Sequence, residues 1–303
     1  MNTKVNFCGI EFDNPVLTAS GTFGFGLEYD QYYDISQLGG ISVKGLTLKE
    51  REGNLTPRIA ETYGGMLNSV GLQNPGVDTF KSFYLPKLKK EKTCKIIANI
   101  AGSTVEDYAE MARSLRDTDV DLLEVNISCP NVKNGGMAFG TSAKMVEEIT
   151  CAVKNEAKQP VVMKLSPNVT DITEMAKAAE AAGADGLSLI NTLLGMKIDV
   201  RTRRPILANN MGGYSGPGVK PVAVRMVYQV ANAVKIPIIG MGGIMNGEDA
   251  VEFMLAGASL VMVGTANFVD PFAALKVKNG IVEYMEKYGV DDVNSLIGAV
   301  KAN

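Results

Sequence analysis

Apolar residues in this chain gather in eight short, nearly continuous runs, at residues 15–20, 41–48, 95–100, 122–128, 161–166, 186–191, 237–241 and 260–265. Runs this short and this rich in Val, Ile and Leu suit parallel strands covered on both faces. The segments between them carry helical periodicity. One helix is expected to begin at Ser103-Thr104, with Glu106 completing a capping box after Ser103 and with Val105, Ala109, Ala112 and Leu115 on one face. A second begins at Asp171, with Glu174 three residues on and Ile172, Met175, Ala176 and Ala179 inward. A third begins at Asn246, with Ala250, Phe253, Met254 and Gly257 inward. Two helices close on Ala-Gly-Ala, at 182–184 and 256–258, just before an apolar run. Glycine there supplies the left-handed residue that stops a helix. The alternation predicts a (β/α)8 TIM barrel. An open doubly wound sheet is the alternative, because periodicity alone does not prove closure. Residues 5–13 read as a hairpin ahead of the first strand, placed to close the bottom of the barrel. No linker-like stretch interrupts residues 1–303, so one domain is expected.

Composition narrows the chemistry more than the fold. The net charge is -3, from 30 Lys and Arg against 33 Asp and Glu, which leaves no basic field for nucleic acid or an anionic membrane. No apolar run is long enough to span a bilayer and the first residues lack a signal pattern, so a cytoplasmic protein is expected. Histidine is absent, which excludes Ser-His and Cys-His nucleophile pairs and His-based metal sites. An enzyme built from this chain must find its acid or base among Cys, Lys, Asp, Glu and Tyr. Its four cysteines, Cys8, Cys94, Cys129 and Cys151, form no C-x-x-C pair, so no metal or iron–sulfur site is expected in the chain itself.

In a barrel of this kind the active site lies at the carboxyl ends of the strands. The polar and glycine residues expected there are Ser20, Lys44, Asn99, Asn126, Lys164, Asn191, Gly242-Gly243 and Gly264-Thr265. Two lysines within apolar runs imply a ligand, because a buried ammonium is costly without one. Glycines after the last two strands suit a phosphate, whose oxygens take backbone N–H groups that glycine lets approach; a tight turn is the plainer reading of each pair alone. A Walker A motif is absent, which disfavours a nucleotide triphosphatase. Cys129 lies just past the fourth run in Asn126-Ile-Ser-Cys-Pro-Asn131, on a glycine-bearing loop, whereas Cys8, Cys94 and Cys151 read as small buried hydrophobes. The stretch from Asn68 to Asn74 is dense in amides and glycine. It suits a flat heterocycle with alternating N–H and C=O groups, or else a solvated turn.

These motifs carry a resemblance. Met66-Leu-Asn-Ser-Val-Gly-Leu-Gln-Asn-Pro-Gly76, Asn126-Ile-Ser-Cys-Pro-Asn131 and Gly240-Met-Gly-Gly-Ile244 are similar to the class 1 dihydroorotate dehydrogenases, over essentially the whole chain. The resemblance implies FMN, held by Ser20, Lys44, Gly45, Asn99, Asn126, Lys164, Ile190, Gly216, Gly242, Gly243, Gly264 and Thr265. It implies a dihydroorotate site made by Lys44, Asn68, Ser69, Val70, Gly71, Leu72, Asn126, Asn191 and Thr192. Cys129 matches the family's catalytic base, with Lys44 and Lys164 assisting. Membrane-associated class 2 members carry serine there and an N-terminal extension. Val70 stands where the family often has isoleucine.

The segments Gly195-Met-Lys-Ile-Asp199 and 213–223 resemble the 1B type. That type serves de novo pyrimidine (UMP) synthesis and passes electrons to NAD through a second subunit carrying FAD and a [2Fe–2S] cluster. A heterotetramer built on a homodimer of this chain is expected. The fumarate-using 1A type is the nearest alternative, and a flavin-free sugar-phosphate barrel enzyme is a more distant one.

Overall fold

A computed structural model describes residues 1–127 and 137–301. Its strands are β1 (Val5–Phe7), β2 (Ile10–Phe12), β3 (Val16–Thr18), β4 (Gly40–Ser42), β5 (Ile59–Thr62), β6 (Gly65–Asn68), β7 (Lys95–Ile100) and β8 (Leu122–Asn126). They continue as β9 (Val161–Lys164), β10 (Gly186–Leu189), β11 (Leu193–Met196), β12 (Ile198–Asp199), β13 (Arg204–Pro205), β14 (Met211–Ser215), β15 (Ile238–Met241) and β16 (Leu260–Val263). Eight of them close a parallel barrel in the order β10-β15-β16-β3-β4-β7-β8-β9. These are the eight apolar runs, so the barrel reading holds and the open sheet does not. Six of the eight strands end short of their runs, β7 and β15 being the exceptions: the residues that overran, such as 43–48 and 190–191, belong to the loops of the carboxyl face.

Every residue of β3, β4, β8, β9, β10, β15 and β16 is buried, as strands with one face on the barrel interior and one under helices must be. The helices start where expected, but the capping contacts differ. Thr104, not Ser103, caps Val105–Leu115, and the reciprocal box is closed by Asp107 rather than Glu106. Asp171 does cap Ile172–Ala181, but by accepting from the Thr173 amide, without Glu174. Asn246 caps Gly247–Leu255 in a box with Asp249, while Gly257 lies beyond that helix. Gly183 and Gly257 do carry the positive φ predicted for helix stops, 90° and 120°. Cys151 is exposed on the helix Ala143–Glu156, contrary to its reading as buried; Thr150 takes the inward position beside it.

The hairpin is present. β1 and β2 pair antiparallel, and the Cys8 thiol donates to the carbonyl of Asp185, which precedes β10. The hairpin therefore covers the amino end of the barrel, as expected. The carboxyl-terminal segment meets it there: Asn2 donates to Asp291, Val293 donates back to Asn2, and Val300 bonds the end of the Gly247–Leu255 helix at Leu255.

At the opposite end stands an element the apolar pattern does not announce, a four-stranded antiparallel sheet in the order β11-β14-β6-β5. Its strands are short and half exposed, and three of the four carry glycine, so they lack the long apolar runs that mark the barrel. No helix among the described residues is long and apolar enough to cross a membrane.

Candidate active site

The carboxyl face encloses a cleft of about 1230 Å³, counting the part open to solvent. Strand pleating decides what lines it. On β8, Leu122, Glu124 and Asn126 share the inward face, and the last of them reaches the cleft floor. Lys164 ends β9 beside it, 5% exposed, and Asn99 comes from β7. Ser20 and Lys44 rise from the loops after β3 and β4. The Ser20 hydroxyl donates to the Val43 carbonyl at 2.7 Å, which ties those two loops together.

The far wall follows β10, with Ile190, Asn191 and Thr192. The Asn191 amide donates to Asn126 Oδ1 at 3.1 Å, so two predicted amides form one rigid pair. The Asn126 backbone carbonyl is held from behind by the Tyr108 hydroxyl at 2.9 Å. The extra sheet brings in the rest. β6 pairs with β14, placing Asn68 opposite Gly213, and the chain then turns through Val70, Gly71 and Leu72 over the cleft.

Asn74 fixes that turn. Its Oδ1 accepts from the amides of Thr47 and Gly76, and its Nδ2 donates to Thr47 Oγ1 and the Leu72 carbonyl. The amide-rich stretch is thus part of the cleft wall, braced from within, and not a solvated turn. Ser69 is fully buried and, like the exposed Gln73 and the buried Asn74, does not line the cleft.

Gly242 and Gly243 after β15, Gly264 and Thr265 after β16, and Gly216 after β14 form the opposite rim. Gly243 has φ 87°, and a Cβ there would lie 2.9 Å from the Gly216 carbonyl oxygen and 3.0 Å from the Lys220 amide nitrogen. The backbone is packed so closely there that only glycine fits. Thr265 Oγ1 donates to Ser215 Oγ at 2.8 Å. Every sequence-predicted site residue that the structure describes, Ser69 apart, lines this one cleft. Cys129 lies outside the described residues.

Sequence reasoning missed several neighbours. Met66, Ser215, Met241, Met262 and Phe268 also line the cleft. It missed Glu124 as well, a carboxylate at 0% exposure beneath the floor. The signal was available: a charged residue two positions before Asn126 must share its inward face. Among the other cysteines, burial pushes the thiols of Cys8 and Cys94 up to about 12, which suits inert packing roles.

The fold and cleft define an enzyme of the β/α-barrel class with a polar, lysine-bearing site and a glycine rim suited to phosphate. Comparison with known proteins makes this specific. A family model described as dihydroorotate dehydrogenase matches residues 2–285. The chain is 64% identical to the "Dihydroorotate dehydrogenase B (NAD(+)), catalytic subunit" of Alkaliphilus metalliredigens, covering 99% of each chain. The protein of the same name from Bacteroides thetaiotaomicron is 56% identical, covering 98% of each chain. Among solved structures, the Eimeria tenella DHODH in complex with ferulenol superposes with a TM-score of 0.83 at 25% identity, over 98% of this chain and 88% of that one. The chain belongs to the dihydroorotate dehydrogenase family.

Proposed function

We propose that this chain is the catalytic subunit of an NAD-linked dihydroorotate dehydrogenase, oxidising dihydroorotate to orotate on the route to UMP, with FMN in the cleft. The observation that carries the reading is the convergence of two lysines, four asparagine amides and a glycine rim on one cleft. The residues fit FMN on their chemistry. The glycine rim of Gly243 and Gly264-Thr265 suits the phosphate, the buried floor of Asn99 and Lys164 suits the polar edge of a ring, and Ser20, Gly45, Ile190, Gly216 and Gly242 complete the walls. When bound, FMN supplies the acceptor for the two electrons that leave the substrate.

The chain's own groups do the rest. The amides of Asn68, Asn126 and Asn191, with Thr192, hold the flat pyrimidine ring, and the Asn191–Asn126 bond fixes two of them before substrate arrives. The turn through Ser69, Val70, Gly71 and Leu72 covers the ring and excludes water. Lys44 offers a cation to the substrate carboxylate, and Lys164 stabilises negative charge that develops over the floor. Cys129 Sγ takes the proton from carbon 5, a role that rests on the family resemblance.

The relatives' names include NAD(+) and "catalytic subunit", which favours NAD over fumarate and a partner that carries the electrons onward. That partner is expected to hold FAD and a [2Fe–2S] cluster, because the described residues of this chain contain no group of His, Cys, Asp and Glu able to hold a metal. A heterotetramer built on a dimer of this chain, working in the cytoplasm as one domain per chain, completes the reading.

The test is anaerobic titration of the purified chain with dihydroorotate while following flavin absorbance. Stoichiometric bleaching is expected in the parent chain, with no rapid NADH on adding NAD. Cys129→Ala should keep its flavin and bleach at least a hundredfold more slowly, in line with loss of a general base. A chain without flavin, or a variant bleached at the parent rate, refutes the corresponding part.

A further inference from the structure

Glu124 has no part in the mechanism just given, yet it lies directly under it. Its oxygens are held by groups from four other strands. Oε2 accepts from Ser42 Oγ of β4 at 3.0 Å and from Asn99 Nδ2 of β7 at 2.6 Å, and Oε1 accepts from Ser188 Oγ of β10 at 2.8 Å. Lys164 Nζ of β9 stands 3.5 Å from Oε2. Stability alone is a weak reason for this arrangement, since well-packed apolar residues commonly serve as well as a buried ion pair. Two of its four partners, Asn99 and Lys164, line the cleft floor.

Chemistry fixes what the carboxylate does to each. An ionised carboxylate only accepts, so the Asn99 amide must turn its NH2 group down to it. The Asn99 Oδ1 is thereby turned away, buried beside Gly45 with no hydrogen-bond partner among the described residues. Lys164 is tethered by charge, and its positive field at the floor is largely cancelled by a negative one in the same low-dielectric layer.

We propose that Glu124 is a positioning residue acting through Lys164 and Asn99: it sets where their donors stand and cancels positive charge beneath the ring, which lowers the electron affinity of the flavin. This rests on the proposed function, because it assumes flavin over that floor. A less electron-hungry flavin gives up its electrons more readily to the next carrier.

Glu124→Gln isolates the charge. The glutamine oxygen can still accept from Ser42, Asn99 and Lys164, while its amide donates to the Ser188 hydroxyl, which accepts as readily as it donates. The experiment is an anaerobic dithionite titration against a reference dye, in which each flavin takes up two electrons and one proton. Glu124→Gln is expected to keep its flavin and to shift the reduction equilibrium at least tenfold towards reduced flavin, about 30 mV upward for a two-electron couple.

A second measurement needs no flavin. Lys164→Met leaves the buried carboxylate without its cation and should lower the melting temperature, and adding Glu124→Gln to it should restore most of the loss. This also decides the matter if Glu124→Gln alone does not fold. A reduction equilibrium within twofold of the parent, or no restoration in the double variant, overturns the proposal. A parent chain that binds no flavin overturns the proposed function instead.

Discussion

Gly243→Ala tests whether the glycine rim is dictated by backbone packing. The alanine must adopt φ 87°, which costs an L-residue roughly 1–2 kcal/mol. Its Cβ would also meet Lys220 Cβ at 2.8 Å, the Gly216 carbonyl oxygen at 2.9 Å and the Lys220 amide nitrogen at 3.0 Å. Two of these three are backbone atoms that no rotamer change can relieve, so overpacking adds roughly 1–3 kcal/mol. The sum is about 2–5 kcal/mol. Unfolding entropy of roughly 2.1 cal/mol/K per residue over 303 residues converts that to a fall of about 3–8 °C in melting temperature.

Pushing Gly216 away from Gly243 also widens the rim, so flavin affinity should drop at least tenfold. Calorimetry of the flavin-free chain and fluorescence titration with FMN read the two effects separately. Gly264→Ala is the control. A Cβ there meets Ala19 Cβ at 3.4 Å, an ordinary contact, so its melting temperature should match the parent. Equal stability of Gly243→Ala and Gly264→Ala would refute the reasoning.

Two further outcomes follow from the structure. Asn74→Ala removes an amide that makes four hydrogen bonds and strands the buried N–H groups of Thr47 and Gly76; a loss of about 3 kcal/mol is expected in denaturant titration, with a raised KM for dihydroorotate, and a parent-like midpoint would contradict the bracing role. Cys94 should weaken the fold in alkali. Its thiol is raised from 9.0 to about 12, so the folded chain keeps a proton that the unfolded chain releases; that stabilisation is whole below pH 9 and is lost as pH climbs from 9 towards 12, by about 1.4 kcal/mol at pH 10. Cys94→Ala should lose less stability than the parent between pH 8 and pH 10, and parallel pH profiles would remove the thiol from the account.

The barrel was legible in the sequence because burial on both faces of a strand forces an unbroken apolar run, and a run of that kind has few other uses. Its ends were less so. Residues such as Val43 and Leu46 are as apolar as the strand before them, though they lie in the loop that carries Lys44 and Gly45. Capping positions slipped by one residue, as at Thr104 and Asp107, because Ser-Thr and Glu-Asp neighbours offer nearly equivalent chemistry. The extra sheet was invisible because its strands are too short and exposed to mark a run, and its two halves join only through β6 and β14, roughly 145 residues apart. Long-range pairing of short glycine-bearing segments leaves no local period to read. Glu124 was overlooked for the opposite reason: it sits inside a run whose apolar character is what identified the strand.

Both ends of the described chain emerge on the hairpin side, with Asn2 and Val293 bonded to one another and the cleft a full barrel length away. A peptide appended at either end, or a short bridge joining residue 1 to the last turn, would lie far from the substrate entrance. New termini cut into a loop of the amino face should likewise leave ligand access untouched. The geometry therefore allows the molecule to be tethered, labelled or circularly permuted from behind while its mouth stays clear for whatever approaches it.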